Sequence, residues 1–278
     1  MKIPANFAFS QNNLQDYVDC PRRFELRYLE KLAWPAIRSE PILAVERHML
    51  LGERFHRMIQ QHQSGLSADL VGATASEPEL VEWWQAYLSA APDPLPERRW
   101  VEHTLSAPFG NYRLIAKYDL LAIAPGERAV IVDWKTSLRK PKRALLSRRI
   151  QTRLYPFLLA EAGKLLNNSV TFKPEQIELV YWFTADPSNP EHFPYSADQF
   201  DQDRKFLQDL IADVVNASET NFPLTSDERM CRYCNYRSLC DRGESAAEAK
   251  MEDDVADEEG SDSSGFDLDF EQISEIAF

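Results

Sequence analysis

The sequence predicts an α/β fold in which a mixed β-sheet is flanked by helices. Turn-forming residues separate three strand-like apolar runs, which predicts an antiparallel meander; the runs are residues 100–105, 112–123 and 129–133. A helical pattern over about 141–166 comes next, and a further apolar strand at 176–183 follows it. A strand that rejoins the sheet after a crossover helix makes the sheet mixed.

Five other segments have apolar residues at helical spacing. The first begins after Ser10, whose hydroxyl can cap it, and is expected to turn Leu14, Tyr17 and Val18 to one face. The remaining helical segments are residues 22–32, 46–62, 77–90 and 197–216. Cys20 therefore lies at the junction of the first two predicted helices.

Acidic residues are concentrated in the last part of the chain. Residues 244–278 contain 13 of the 44 acidic residues and one of the 31 basic residues. Because this stretch has few large apolar side chains, we expect a disordered acidic tail. The body, residues 1–243, is close to neutral, so the net charge of −13 does not exclude a nucleic-acid partner.

The four cysteines are expected to bind metal. No apolar run reaches the length of a membrane span, and residues 1–11 lack a signal-peptide pattern, so we expect a cytoplasmic protein without a membrane partner. Disulfides are rare in that compartment. Three cysteines have the spacing Cys231-x2-Cys234-x5-Cys240, with Cys20 far away in sequence. This spacing is compatible with Zn²⁺ and with a [4Fe-4S] cluster.

Two acids and a lysine occur on neighbouring predicted strands. Asp119 lies in the second strand of the meander, and Asp133 ends the third, followed by Trp134 and Lys135. Strand alternation places Asp133 and Lys135 on one face and turns Trp134 to the other. The bland interpretation is an exposed ion pair, whereas converging carboxylates and an amine suit a divalent metal and a bound phosphate.

Further motifs accompany these residues in a defined order: G-x-x-x-H at 52–56, Asp119, D-x-K at 133–135 and Q-x-x-x-Y at 151–155. One cysteine precedes them and three follow. In this order they resemble the PD-(D/E)XK nuclease superfamily, and within it the iron-sulfur branch of RecB-type and AddB-type nuclease domains and small CRISPR-adaptation exonucleases. Two positions differ, since Tyr118 stands in place of the proline and Ala116 in place of a frequent glycine.

The resemblance implies a metal-dependent DNA exonuclease that acts on single strands or DNA ends in repair, recombination or CRISPR adaptation. It implies these catalytic residues: Asp119, Asp133, Lys135, Gln151 and Tyr155. The expected ligands of Mg²⁺ or Mn²⁺ are His56, Asp119, Asp133 and the Trp134 carbonyl, and the imidazole nitrogen favours Mn²⁺. Lys135 would orient the attacking water or stabilise charge on the phosphorane. The alternative is a non-catalytic DNA-end-binding subunit with vestigial motifs.

The resemblance also favours a [4Fe-4S] cluster over Zn²⁺ on Cys20, Cys231, Cys234 and Cys240. Such a cluster would close residues 1–243 into one nuclease domain.

Basic residues dominate the segment that follows Asp133, where no acid occurs before Glu161. They predict either a solvated helix face or a track that contacts DNA phosphates. The predicted DNA-binding residues are Arg139, Lys140, Lys142, Arg143, Arg148, Arg149 and Arg153. The tail, which ends on Phe278 and loosely resembles the acidic tip of bacterial single-strand-binding proteins, is expected to be a solubilising end or to dock on a partner protein or on this track.

Overall fold

The structure, a computed structural model, describes residues 2–32, 40–231 and 234–243. The α-helices are α1 (Gln11–Asp19), α2 (Pro21–Phe24), α3 (Glu40–Gln63), α4 (Ala68–Gly72), α5 (Pro78–Ala90), α6 (Arg143–Leu146), α7 (Ile150–Ala162) and α8 (Ala197–Glu219). A π-helical turn, Glu25–Leu29, continues α2, and 3-10 turns lie at Gly163–Asn167, Pro174–Gln176, Glu228–Cys231 and Arg237–Cys240. The strands are β1 (Ala8–Phe9), β2 (Arg98–Phe109), β3 (Tyr112–Ala124), β4 (Arg128–Lys135), β5 (Ile177–Phe183) and β6 (Glu191–Pro194).

These six strands form one mixed sheet. Strand β3 pairs antiparallel with β2 along one edge; on its other edge it pairs in parallel with β1 and antiparallel with β4. After the crossover through α7, β5 runs parallel to β4, and β6 returns antiparallel to β5. The predicted meander and the mixed α/β sheet flanked by helices are therefore confirmed.

Each face of the sheet is covered by a separate apolar cluster. The α7-side cluster is built around Leu114, Tyr118, Leu121, Ile131, Leu154, Leu158 and Tyr181. The α3-side cluster is built around Phe55, Trp84, Leu120, Val132, Trp134 and Trp182. Because β4 is buried on both faces, its sequence is a nearly continuous apolar run rather than an alternating one.

The prediction of one continuous helix at about 141–166 is wrong. Helix α6 ends at Leu146, and α7 begins at Ile150 after Arg149, whose ψ of 144° is extended. Side chains satisfy the backbone at this break, since the Thr152 hydroxyl donates to the Leu146 carbonyl at 2.5 Å and the Ile150 N–H donates to Gln15 Oε1 at 3.2 Å. The apolar spacing continues across the break, so the sequence pattern did not reveal it.

Other differences are local. The segment 22–32 is a short α-helix followed by a π-helical turn, and Val18 is 50% exposed although the pattern placed it inward. Within the ranges that the structure describes, none of the helices combines the length and apolar character needed to cross a bilayer. The predicted acidic tail, residues 244–278, lies outside the described residues.

Candidate active site

Helix α3 brings the G-x-x-x-H motif against the end of β4. A Cβ built on Gly52 would lie 2.8 Å from Thr136 Oγ1, so the absence of a side chain permits this close approach. His48, one turn earlier, contacts the Thr136 carbonyl through Nε2 at 2.6 Å. His56, one turn later, lies on the same helix face, and its Nδ1 is 3.5 Å from Asp119 Oδ2.

Asp119 and Asp133 come to neighbouring positions on β3 and β4. The Trp134 N–H donates to Asp119 Oδ2 at 2.9 Å, which fixes the direction of that carboxylate. Asp133 Oδ2 is 3.0 Å from Lys135 Nζ, so the acid and the amine share one strand face. Trp134 turns to the opposite face, into the α3-side cluster, as the alternation predicts.

Helix α7 supplies the Q-x-x-x-Y residues from the other face of the sheet. Gln151 Nε2 donates to Asp133 Oδ1 at 2.5 Å, whereas the buried Gln151 Oε1 has no hydrogen-bond partner among the described residues. Tyr155 is also buried; its ring packs 4.8 Å from the ring of Tyr118, and its carbonyl accepts from the Tyr118 hydroxyl at 3.0 Å. Tyr118, which replaces the proline of the motif, therefore anchors α7 to β3.

The surroundings of His56 favour its neutral form. Burial lowers its pKa; Asp133 and Glu102 act to raise it, and Lys135 lowers it further. A neutral imidazole offers a nitrogen lone pair, as a metal ligand must.

A group of potential metal-ligand atoms among the described residues includes a residue that the sequence motifs did not identify. Donor atoms of His56, Glu102 and Asp119 all lie within 4.8 Å of one another. One imidazole with carboxylates is a donor set for Mg²⁺ or Mn²⁺, and the unpartnered oxygen of Gln151 beside Asp133 suits a site that gains a bound group. The residues present therefore fit a divalent cation.

A usable signal for Glu102 was in the sequence. The turn residues Gly110 and Asn111 leave Phe109 paired with Tyr112, and counting back along that hairpin brings Glu102 opposite Asp119.

The seven predicted DNA-contacting residues fall into two groups. Lys140 and Arg143 both pair with Glu191, at 2.8 and 2.9 Å, and Arg153 pairs with Asp203 at 3.3 Å. These three side chains are engaged with acids of the protein itself. Of the other four residues, Arg139, Lys142 and Arg148 are exposed, and Arg149 is half-buried.

All four cysteines line one pocket. Cys20 is buried at the start of α2, whereas the 3-10 turns near the C-terminal end of the described chain carry Cys231 and Cys240. Arg242 Nη1 donates to Cys231 Sγ at 3.3 Å. Burial raises the pKa of the Cys234 thiol to about 11, and Arg23 opposes this shift. None of the four forms a disulfide.

A mixed sheet whose adjacent strands carry Asp119 and the Asp133-x-Lys135 motif is consistent with a PD-(D/E)XK nuclease core. A family model of the PD-(D/E)XK nuclease superfamily matches residues 8–241. Because this match covers most of the chain, the protein belongs to that superfamily and is a nuclease.

Two solved structures are similar to the chain. "Crystal structure of SSO0001" is 16% identical, with 84% of this chain and 85% of that chain covered and a TM-score of 0.45. A protein from Eubacterium rectale described as "Putative exonuclease" is 9% identical, with 79% and 84% covered and a TM-score of 0.49. No curated protein gives a significant sequence match.

Proposed function

We propose that the protein is a Mg²⁺- or Mn²⁺-dependent DNA exonuclease of the iron-sulfur RecB/AddB-like branch, acting on single strands or DNA ends. The observation that carries this proposal is the convergence of His56, Asp119, Asp133 and Lys135 where α3 meets the middle of β3 and the end of β4. Family membership supplies the nuclease class; the choice of DNA, of exonucleolytic cleavage and of a role in repair, recombination or CRISPR adaptation is part of the proposal.

His56, Asp119 and Asp133, with the Trp134 carbonyl, would hold the divalent cation. Such a cation polarises a phosphate oxygen and lowers the pKa of the attacking water. The Trp134 N–H keeps Asp119 oriented, so this carboxylate loses little side-chain freedom when it binds.

Lys135 and Gln151 would act on the reacting groups. The Lys135 ammonium, held 3.0 Å from Asp133, can donate to the oxygens on which charge develops as the phosphodiester is attacked. Gln151 is fixed through Nε2 on Asp133, so its Oε1, which has no hydrogen-bond partner among the described residues, can accept a hydrogen bond from the water and orient it. Both side chains are buried, which strengthens these interactions.

The proposed [4Fe-4S] cluster would bind Cys20, Cys231, Cys234 and Cys240. Support comes from their shared pocket and from Arg23 and Arg242, whose positive charges favour deprotonated sulfur ligands. The cluster would tie α2 to the C-terminal 3-10 turns and so close residues 1–243 into one domain. Zn²⁺ on the same four thiolates is the alternative.

The DNA would reach the site across the surface formed by Arg139, Lys142, Arg148 and Arg149. These residues precede α7 in the chain, and α7 carries Gln151 into the site. Docking of the acidic tail on a partner protein or on this surface stays a prediction.

The decisive experiment is cleavage of 5′- and 3′-labelled single strands with Mg²⁺, Mn²⁺ or EDTA. Lys135→Ala and Lys135→Met should lose cleavage and retain DNA binding, since Lys135 acts on the transition state. Lys164→Ala, an exposed lysine beyond the end of α7, is the control and should cleave normally. Normal cleavage by both Lys135 variants would refute this mechanism. DNA binding without cleavage by the wild-type protein would support the non-catalytic alternative instead.

A further inference from the structure

We propose that Glu102 is a protein ligand of the divalent cation, beside His56 and Asp119, and that Lys117 occupies its carboxylate when the cation is absent. This inference deepens the proposed function and rests on it. It adds to the nuclease motifs a residue on β2, a strand that carries none of them.

The backbone of Glu102 is the first observation. Its φ is +52°, although it lies within β2, where extended residues have strongly negative φ. Glycine, asparagine and aspartate tolerate this left-handed region, whereas a glutamate there is under strain. Strain of this kind persists where the surrounding structure enforces it, and it is concentrated at functional sites.

The pairing of β2 with β3 is the second observation. Glu102 and Asp119 stand opposite each other on the hairpin, because the flanking pairs are Val101 with Leu120 and His103 with Tyr118. Residues directly opposite each other on antiparallel strands have neighbouring side chains. Two carboxylates at such a position repel each other unless a cation lies between or beside them.

Both strands change the phase of their side-chain alternation at this pair. In β3, Tyr118 belongs to the α7-side cluster and Leu120 to the α3-side cluster, although residues two apart on a regular strand share a face. In β2, Leu105 packs against the α7-side cluster and Val101 against the α3-side cluster, although they are four apart. The irregular pair re-aims its two side chains, as β-bulges do beside active sites.

This change of phase brings the two carboxylates to His56. The donor atoms of all three residues lie within 4.8 Å of one another, and each residue is partly exposed, so a cation can reach the set from solvent. Oxygen ligands from two strands and a nitrogen from a helix would supply three protein ligands, which suits a cation that retains several waters.

Lys117 already places a positive charge at this carboxylate. Its Nζ lies 2.5 Å from Glu102 Oε2, and its side chain is 51% exposed. An exposed lysine can turn into solvent at little cost, so it neutralises Glu102 without blocking the site permanently. The cation and the Lys117 ammonium therefore compete for one carboxylate, and the two residues should affect cation binding in opposite directions.

The test is Mn²⁺ affinity, measured without DNA by the electron paramagnetic resonance of free Mn²⁺. The full-length protein is used with the native metal on its four cysteines and without a divalent cation. Glu102→Gln should weaken Mn²⁺ binding by about tenfold or more, since loss of even an outer partner of a metal site costs about 10–100-fold. Lys117→Gln should tighten it by about two- to fivefold, the value of an exposed ion pair. Glu97→Gln, an exposed acid just before β2, is the matched control and should change nothing.

A second variant guards against misfolding. Glycine accepts a positive φ without strain, so without a divalent cation Glu102→Gly should have a higher Tm than Glu102→Gln. Glu102→Gly should bind Mn²⁺ as weakly as Glu102→Gln does. If Glu102→Gly or folded Glu102→Gln bound Mn²⁺ with wild-type affinity, the inference about Glu102 would be wrong. The proposed function would still stand, provided that the wild-type protein cleaves DNA with Mn²⁺. A wild-type protein that neither binds Mn²⁺ nor cleaves DNA would overturn the proposed function as well.

Discussion

Replacing Gly52 with alanine should separate α3 from the end of β4 and slow DNA cleavage at a limiting concentration of the divalent cation. The new Cβ would lie 2.8 Å from Thr136 Oγ1, whereas ordinary contacts of a Cβ begin at 3.4 Å. The helix must therefore move outward by about 0.6 Å, because Thr136 is buried and cannot turn away freely. His56 lies one turn further along the same rigid helix, so it should move with Gly52.

The size of the effect follows from two opposing contributions. Overpacking of this kind costs about 1–3 kcal/mol of folding free energy. Alanine in place of glycine within a helix returns about 1 kcal/mol. The net loss of stability should therefore be about 0–2 kcal/mol, small enough for the variant to fold. Since a misplacement of about 1 Å in an active site can cost about 100-fold in rate, a shift of half that size should slow cleavage about tenfold.

A double-mutant cycle isolates the contact. Thr136→Ala removes Oγ1, and the next nearest atom, Thr136 Cβ, would be 3.8 Å from the new Cβ. The pair Gly52→Ala with Thr136→Ala should therefore cleave at the rate of Thr136→Ala alone and should be at least as stable. Gly72→Ala is the matched control, because its Cβ would lie 2.8 Å from Trp84 Nε1, in the contact between α4 and α5. It should lose stability without loss of rate per folded molecule. An unslowed Gly52→Ala, or a double variant that is not rescued, would refute the reasoning.

Three further predictions concern other parts of the protein. Protein purified without oxygen should be brown, and Cys20→Ala and Cys234→Ala should each be colourless with a lower Tm; colourless wild-type protein with one equivalent of zinc would assign the site to Zn²⁺. Arg148→Ala should weaken binding to all DNA sequences, and more strongly at low salt, whereas an effect on one sequence alone would contradict a phosphate contact. Burial, and to a lesser degree Arg99, lowers the pKa of His62 from 6.5, so its contribution to stability is present above that value and is lost as the pH falls through the lowered pKa. The Tm of His62→Gln should consequently fall less than that of the wild-type protein between about pH 7.5 and 5.5, and equal falls would show that His62 does not contribute.

Local sequence patterns were sufficient to predict the strands that carry the motifs. Turn chemistry and β-rich runs predicted β2, β3 and β4, and strand alternation predicted that Asp133 and Lys135 share a face while Trp134 does not. These features depend on residues close together in sequence, where the period of side-chain direction is fixed by the backbone.

What the sequence did not reveal depends on partners far away in the chain. The acids that engage Lys140 and Arg153 come from β6 and α8, which are distant from the basic segment, so its composition alone suggested a larger DNA-binding surface. Glu102 was missed for a related reason, since its importance comes from the residue across the hairpin and from its unusual φ rather than from its neighbours. The break before α7 was hidden because apolar spacing continued across it.

The two apolar clusters also divide the site into halves with independent support. His56 is carried by a helix anchored through the α3-side cluster, whereas Gln151 is carried by a helix anchored through the α7-side cluster. If α3 moved away from the sheet, the His56 imidazole would leave the site while Asp133, Lys135 and Gln151 stayed in contact. The enzyme would then keep the residues that act on the reacting groups but would bind its cation weakly. Substitutions on the packed face of α3 should therefore alter the cation requirement of cleavage, and those on α7 the maximal rate. A laboratory selection could adjust these two properties one at a time.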